Sequence, residues 1–240
     1  MNGDSKQTSM PQPAEIRNRA ELHLCLGQAF LPPLDSETEQ ALAVTLPEDL
    51  EALNGHLGFT ASGHPGRFAA AALVASQRPG GLKQLYSRLF LAPPFPAAIN
   101  AGIHLDGSLM GNSVLGMEEY YLRHGLEKDK EFKDLPDHLA LQLQFVGYLL
   151  EQAAKALEQG DTEHAAALLR DTATFETRYV GSWLPLFIKK LEEAETEYEL
   201  PAPYRFLAEI TLDAVSSDLK AWTRWPGPLA TEEDSHAAAE

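Results

Sequence analysis

Apolar positions recur at helical spacing along almost the whole chain. Between Glu15 and Phe30, the residues Leu22, Cys25, Leu26, Ala29 and Phe30 fall at i, i+3, i+4, i+7 and i+8, which predicts an amphipathic helix stopped by Pro32-Pro33. Ser36 followed by Glu39 reads as a capping box for a short second helix. Pro47-Glu48-Asp49 opens a third, which carries Leu50, Leu53 and Leu57. Beyond the breakers of Gly55 to Gly66, Pro65 starts a helix through Ser76 with Phe68, Ala69, Ala72 and Leu73 aligned. Arg78-Pro79-Gly80-Gly81 then turns the chain into a helix on which Tyr86, Leu89 and Phe90 share a face. That helix ends before Ala92-Pro93-Pro94-Phe95-Pro96, and residues 91–112 are expected to form an irregular connection. Helix resumes at Asn112-Ser113 with Val114, Met117, Tyr120 and Tyr121, and closes at His124-Gly125.

The strongest signal follows. Pro136 suits a first helical turn, where its missing N–H costs nothing, so a helix is expected to start there. This places Asp137 in the first turn and His138 at an exposed helix mouth. Leu139, Leu143, Val146, Leu150, Ala153 and Leu157 then line one side, and Leu141, Phe145, Tyr148 and Leu149 the other. A helix apolar on both sides is a central strut packed between others. After a turn and cap at Gly160-Asp161-Thr162, a helix carries Ala165, Leu168, Leu169, Thr172 and Phe175. Ser182-Trp183-Leu184-Pro185 opens another with Leu184, Phe187, Ile188 and Leu191. Pro201-Ala202-Pro203 precedes the last, with Phe206, Leu207, Ile210, Ala214 and Leu219, and Trp222 and Trp225 finish the folded part.

No period-two alternation and no hairpin signal occurs, so the class is all-α: a multi-helix bundle of about nine to eleven helices around a central buried one. The charged run Glu127 to Asp134 has few apolar anchors and reads as a hinge between helical subdomains at residues 15–126 and 135–225. Residues 1–14 and 226–240 are polar or acidic and are expected to be disordered tails.

Charge narrows the partners. The chain holds 19 basic and 35 acidic residues, a formal charge of −16, which opposes non-specific nucleic-acid binding and favours cationic partners. Its one cysteine, Cys25, cannot make an internal disulfide, in keeping with a reducing compartment, and its expected role is that of a small buried apolar residue. Met1 to Pro13 lack the apolar core of a signal peptide, and no run approaches the ~18 apolar residues of a membrane span. A cytoplasmic location is expected.

Catalytic motifs are missing. The eight histidines show no His-Glu-x-x-His and no i, i+4 pair, so no metal site is expected. Gly107-Ser108-Leu109-Met110-Gly111 lacks the Lys and the preceding strand of a phosphate loop. No Gly-x-Ser-x-Gly elbow is present. Asp137 and His138 are neighbours that leave a helix ~100° apart, so they do not orient one another as a catalytic dyad does, and mechanics alone favours helix-start charge beside a solvated imidazole. Tyr86, Leu89 and Phe90 would equally serve as plain core. Together with the proline-rich loop and the acidic surface, however, they suit a groove for an apolar peptide with basic flanks.

These features resemble the TorD/DmsD/NarJ group of redox-enzyme maturation proteins, the all-helical cytoplasmic chaperones that bind twin-arginine signal peptides of molybdoenzyme subunits. The block Pro136-Asp137-His138-Leu139-Ala140-Leu141-Gln142-Leu143-Gln144-Phe145 carries the likeness, with Tyr86-x-x-Leu89-Phe90, Pro93-Pro94 and the Leu105 to Gly111 loop leading to Tyr121 and Gly125. Trp183 before Phe187, and Pro203-Tyr204, extend it, so that it covers about residues 80–222. The resemblance implies a non-enzyme whose signal-peptide-binding residues are Asp137, His138, Tyr86, Leu89, Phe90, Pro94, Leu141, Gln142 and Phe145. Asp137 would accept an arginine, and the aromatic face would take the apolar segment. The chain itself would hold no cofactor, its client carrying molybdopterin guanine dinucleotide. Partners so implied are a molybdenum oxidoreductase catalytic-subunit precursor and, transiently, the Tat machinery, with a monomer able to form domain-swapped dimers. A guanine-nucleotide-gated regulator and a helical adaptor for a mature subunit are the alternatives. Many relatives carry glutamates where Gln142 and Gln144 stand, and Glu118, Glu119 or Asp106 are candidates to supply the missing charge.

Overall fold

A computed structural model of the chain describes residues 11–61 and 63–223; Trp225, residues 1–10 and the C-terminal stretch expected to be disordered lie outside them. Among the described residues eleven α-helices follow in order: α1 (Pro13–Ala29), α2 (Ser36–Gln40), α3 (Leu46–Leu57), α4 (His64–Ser76), α5 (Gly81–Tyr86), α6 (Ala101–Leu105), α7 (Asn112–Arg123), α8 (Leu139–Glu158), α9 (Thr162–Phe175), α10 (Leu184–Tyr198) and α11 (Pro203–Trp222). Among the described residues the only extended pairing is an isolated bridge between Asn100 and His138. The all-α class stands. No helix of the described residues is long and apolar enough to cross a membrane.

Among the described residues three turns widen to π-helix, with one residue more per hydrogen-bonded ring than an α-turn. Ala41–Thr45 joins α2 to α3, Ser87–Leu91 prolongs α5, and Glu176–Val180 prolongs α9. Several boundaries differ from the periodicity reading. Asp35, not Ser36, caps α2 by accepting the Thr38 N–H at 2.8 Å, while Glu39 reaches away to the Lys83 N–H at 3.1 Å. The connection expected to be irregular contains α6. The central helix starts at Leu139, three residues later than Pro136 suggested, for a reason that lies in the candidate site.

Helix α8 is the strut, with α1 and α9 packed along it. Leu139, Leu143, Val146, Leu150 and Ala153 are buried on one side, and Phe145 and Leu149 on the other. Each fully buried leucine or phenylalanine of this kind contributes roughly 1.5–3 kcal/mol. Helices α1 and α8 run antiparallel and meet through two glycines. A Cβ on Gly147 would lie 2.8 Å from Leu24 Cγ, and one on Gly27 would lie 3.0 Å from the Ala140 carbonyl. A side chain at either position would push the Leu24 side chain or the facing backbone aside. Around this pair, Tyr86, Phe90 and Tyr204 stack edge to face at 4.8–5.7 Å, binding α5 and its π-turn to α11.

Candidate functional site

The start of α8 is a clasp rather than an open mouth. Asp137, expected in the first turn, precedes the helix and is fully buried. Its carboxylate accepts the Gly102 N–H at 2.7 Å and the Asn100 side-chain amide at 3.2 Å, and its carbonyl accepts the Ala101 N–H at 3.1 Å. Leu139 donates its N–H to the Ile99 carbonyl at 3.2 Å. The segment 99–102 is thus laced to residues 137–139, and Asp137 is spent on that lacing, which delays the helix to Leu139. Gly102 fits where a Cβ would sit 3.0 Å from Asp137 Oδ2 and 2.8 Å from the Ser108 carbonyl. Burial pushes the Asp137 carboxyl above its usual range, while the Gly102 and Asn100 donors pull it back.

His138 is also buried, which corrects its expected exposure, and it serves as the N-cap of α8. Its Nδ1 accepts the Ala140 N–H at 3.1 Å, which leaves the ring proton on Nε2. Nε2 then donates to the Tyr86 hydroxyl oxygen at 3.3 Å, and that hydroxyl donates to the Phe30 carbonyl at 3.1 Å. The relay connects the start of α8 to the C-terminal end of α1. Burial drives the His138 pKa down to about 4, so the ring is neutral near pH 7. Gln142 is buried as well: its amide donates to the Asp137 carbonyl at 2.6 Å, and its carbonyl faces the Trp183 indole N–H at 3.4 Å.

The structure brings most of the expected site residues together inside the core. Asp137, His138, Tyr86 and Gln142 are joined by the bonds above, with Leu89, Phe90 and Phe145 buried and Leu141 half-buried. Pro94 is exposed and stands apart from them, lining a pocket of about 430 Å³ with Phe95, His104 and Leu186. Of the candidate carboxylates, Asp106 is engaged with the Ser113 N–H at 2.9 Å, Glu119 is exposed, and Glu118 lines a pocket of about 360 Å³ with Tyr121, Glu127 and Pro136. Direct contact between Asp137 and a peptide therefore requires segment 99–102 to lift away.

A groove that the periodicity reading missed lies between α1 and the α2–α3 hairpin. It encloses about 530 Å³, with Leu24, Cys25, Ala29, Leu42 and Leu46 on its floor and walls and the exposed carboxylates of Glu37 and Asp49 beside them. The π-turn Ala41–Thr45 forms one wall. Burial, with Asp49 and Glu21 nearby, pushes the Cys25 thiol up to about 11. The available signal was the apolar run Ala41-Leu42-Ala43-Val44 on a helix too short to bury it.

The chain matches the family described as nitrate reductase delta subunit over residues 39–189. It is 27% identical over 122 residues to the chaperone protein TorD of Vibrio cholerae, covering 49% of this chain and 51% of that one. It is 34% identical over 99 residues to the chlorate reductase assembly chaperone protein of Ideonella dechloratans, and 32% identical over 99 residues to the selenate reductase assembly chaperone protein of Thauera selenatis. Each of these two matches covers 41% of this chain and 47% of the relative. The chain thus spans about half the length of the curated relatives it matches. With the family match running from α2 into α10 across the clasp, and with relatives of the TorD name, the chain belongs to the nitrate reductase delta subunit family, the TorD/NarJ group.

Proposed function

We propose that the protein is a cytoplasmic chaperone for the catalytic-subunit precursor of a molybdenum oxidoreductase, holding its twin-arginine signal peptide until cofactor insertion is complete. Relatives named as reductase assembly chaperones support this reading. The observation that carries it to a surface is the apolar groove between α1 and α2–α3 with Glu37 and Asp49 on its rim. A twin-arginine peptide presents two guanidinium groups followed by an apolar segment. The apolar segment would bury on Leu24, Leu42 and Leu46, at roughly 25 cal/mol per Å² removed from water. The carboxylates would select arginine by charge-assisted, bidentate hydrogen bonds.

In this reading the clasp positions the groove. The His138–Tyr86–Phe30 relay ends at the C-terminal end of α1, next to the groove residues Gln28 and Ala29. In the closed state His138 acts through that relay and Asp137 holds segment 99–102 in place, and both meet a peptide only when that segment opens. The test is isothermal titration of the full chain with a twin-arginine signal peptide of a molybdoenzyme from the same organism. Saturable binding is expected, weakened at least tenfold by Glu37→Lys with Asp49→Lys and unchanged by Glu118→Lys with Glu127→Lys. Failure to bind either the peptide or the whole precursor would overturn the function; the reverse ranking of the two double variants would move the site to the Pro136 pocket.

A further inference from the structure

Far from the clasp, three groups that sequence spacing could not connect meet in the core. His23 on α1, Glu176 at the start of the third π-turn and Asp218 on α11 are each completely buried. His23 Nε2 lies 2.8 Å from Asp218 Oδ2 and 3.3 Å from Glu176 Oε1, and the three donor atoms lie within 4.8 Å of one another. We propose that His23, Glu176 and Asp218 form a binding site for a first-row divalent transition-metal ion.

Unsatisfied polar groups inside the cluster point to a missing ligand. Both carboxylate oxygens of Glu176 and the Nδ1 of His23 make no hydrogen bond of good geometry although both side chains are wholly buried, while the Trp222 indole N–H and Asp218 act on the Glu176 carboxyl from beside it. Leaving such groups unpaired in a core is costly, so native proteins rarely tolerate several together. The spacing suits an ion. Bonds of about 2.0–2.2 Å from imidazole nitrogen and carboxylate oxygen place neighbouring donors roughly 3 Å apart. One imidazole and two carboxylates form a hard-to-borderline set, suited to zinc, cobalt, iron(II) or manganese rather than to metals that demand thiolate.

The surroundings fit as well. Arg19 bonds to the other oxygen of Asp218, Oδ1, at 2.5 Å, which orients that carboxylate as outer partners orient metal ligands. Its charge offsets one carboxylate, leaving the second to be neutralised by the ion. A surface pocket of about 200 Å³ is lined by Arg19, Asp213, Ser216 and Ser217, and Arg19, bonded to Asp218, stands between it and the cluster. An ion there would staple α1, the π-turn and α11 together.

The test uses the full chain, stripped with a chelator and titrated separately with Co²⁺ and Zn²⁺. One equivalent should bind, Co²⁺ should develop visible d–d absorption, and Tm should rise by roughly 5–10 °C at a hundredfold excess over Kd. Glu176→Gln, isosteric with the neutral acid, should keep the circular dichroism of the folded protein and lose both responses; His23→Gln should lose them too. An unaltered Tm with no bound ion would overturn the proposal and leave the cluster as a proton-sharing ion network. Binding that persists in both variants would equally overturn it, assigning the ion to the acidic surface.

Discussion

The Tyr86 hydroxyl and the His138 imidazole, 3.3 Å apart, are the middle of a hydrogen-bond relay that begins at one helix start and ends at another helix's last turn. Removing the hydroxyl in Tyr86→Phe leaves the Phe30 carbonyl and the His138 N–H without partners in the core. The expected loss is about 1–3 kcal/mol of unfolding free energy, read as a lower urea midpoint with an unaltered m-value. A midpoint equal to that of the parent chain would show that the relay contributes nothing.

His138 also sets a pH window. Its ring has a pKa of about 4 in the folded chain because it is buried beside Tyr86 and Phe132, with the Asp134 carboxylate opposing the shift. The unfolded chain binds that proton near the ordinary value of about 6.5. Stability from this group is therefore complete above about pH 6.5 and is lost as pH falls toward about 4, by roughly 3 kcal/mol in all. His104, held down by burial against Trp183, adds in the same direction. Urea midpoints measured between pH 7 and pH 4.5 should fall steeply for the parent and less steeply for His138→Asn, which keeps a capping side chain. Parallel slopes would remove His138 from the window.

Gln142 should not tolerate replacement by glutamate. Its amide N–H donates to the Asp137 carbonyl at 2.6 Å in a fully buried place. A carboxylate there would set acceptor against acceptor and bury a charge, so Gln142→Glu is expected to cost about 2–4 kcal/mol. Thermal unfolding decides it, and a Tm within a degree of the parent would contradict the assignment of this hydrogen bond.

Cys25 reports on the groove. With its thiol pushed up to about 11, the thiolate at pH 8 is scarcer than in a thiol of ordinary pKa, so alkylation by iodoacetamide should run roughly a hundredfold slower than for an exposed cysteine. Bound signal peptide should slow it further, since Cys25 lines the proposed surface. Alkylation at the free-thiol rate would contradict the burial, and peptide without effect would place the bound segment elsewhere.

Much of the fold was written in local periodicity, and much of the site was not. The stripes of α1, α8 and α11 and the punctuation by Pro185, Pro203 and Gly125 survive almost residue for residue, because apolar spacing and proline chemistry act within a few positions. Asp137 shows where local rules stop. Pro136 argued for an earlier helix, yet Gly102, thirty-five positions away, takes the Asp137 carboxylate and wins. The burial of Arg19 and His23 was equally illegible, since both sit on an amphipathic helix as ordinary polar residues and their partner Asp218 lies nearly two hundred positions on. The π-turns leave no spacing signature, so the groove wall formed by Ala41–Thr45 could be inferred only from an apolar run with nowhere to go.

The two glycines at the α1–α8 crossing also set an order of events during synthesis. Gly27 emerges early, but the surface it meets, Ala140 and Gln144, is not made until α8 has left the ribosome. Until then α1 carries Leu22, Leu26 and Phe30 with no strut to lie against, the kind of exposed apolar stripe that aggregates or recruits a holdase. A protein whose proposed work is to shelter an unfinished client must itself pass through an unfinished state, and a nascent chain halted before α8 should be protease-sensitive throughout α1, becoming resistant once α8 has emerged.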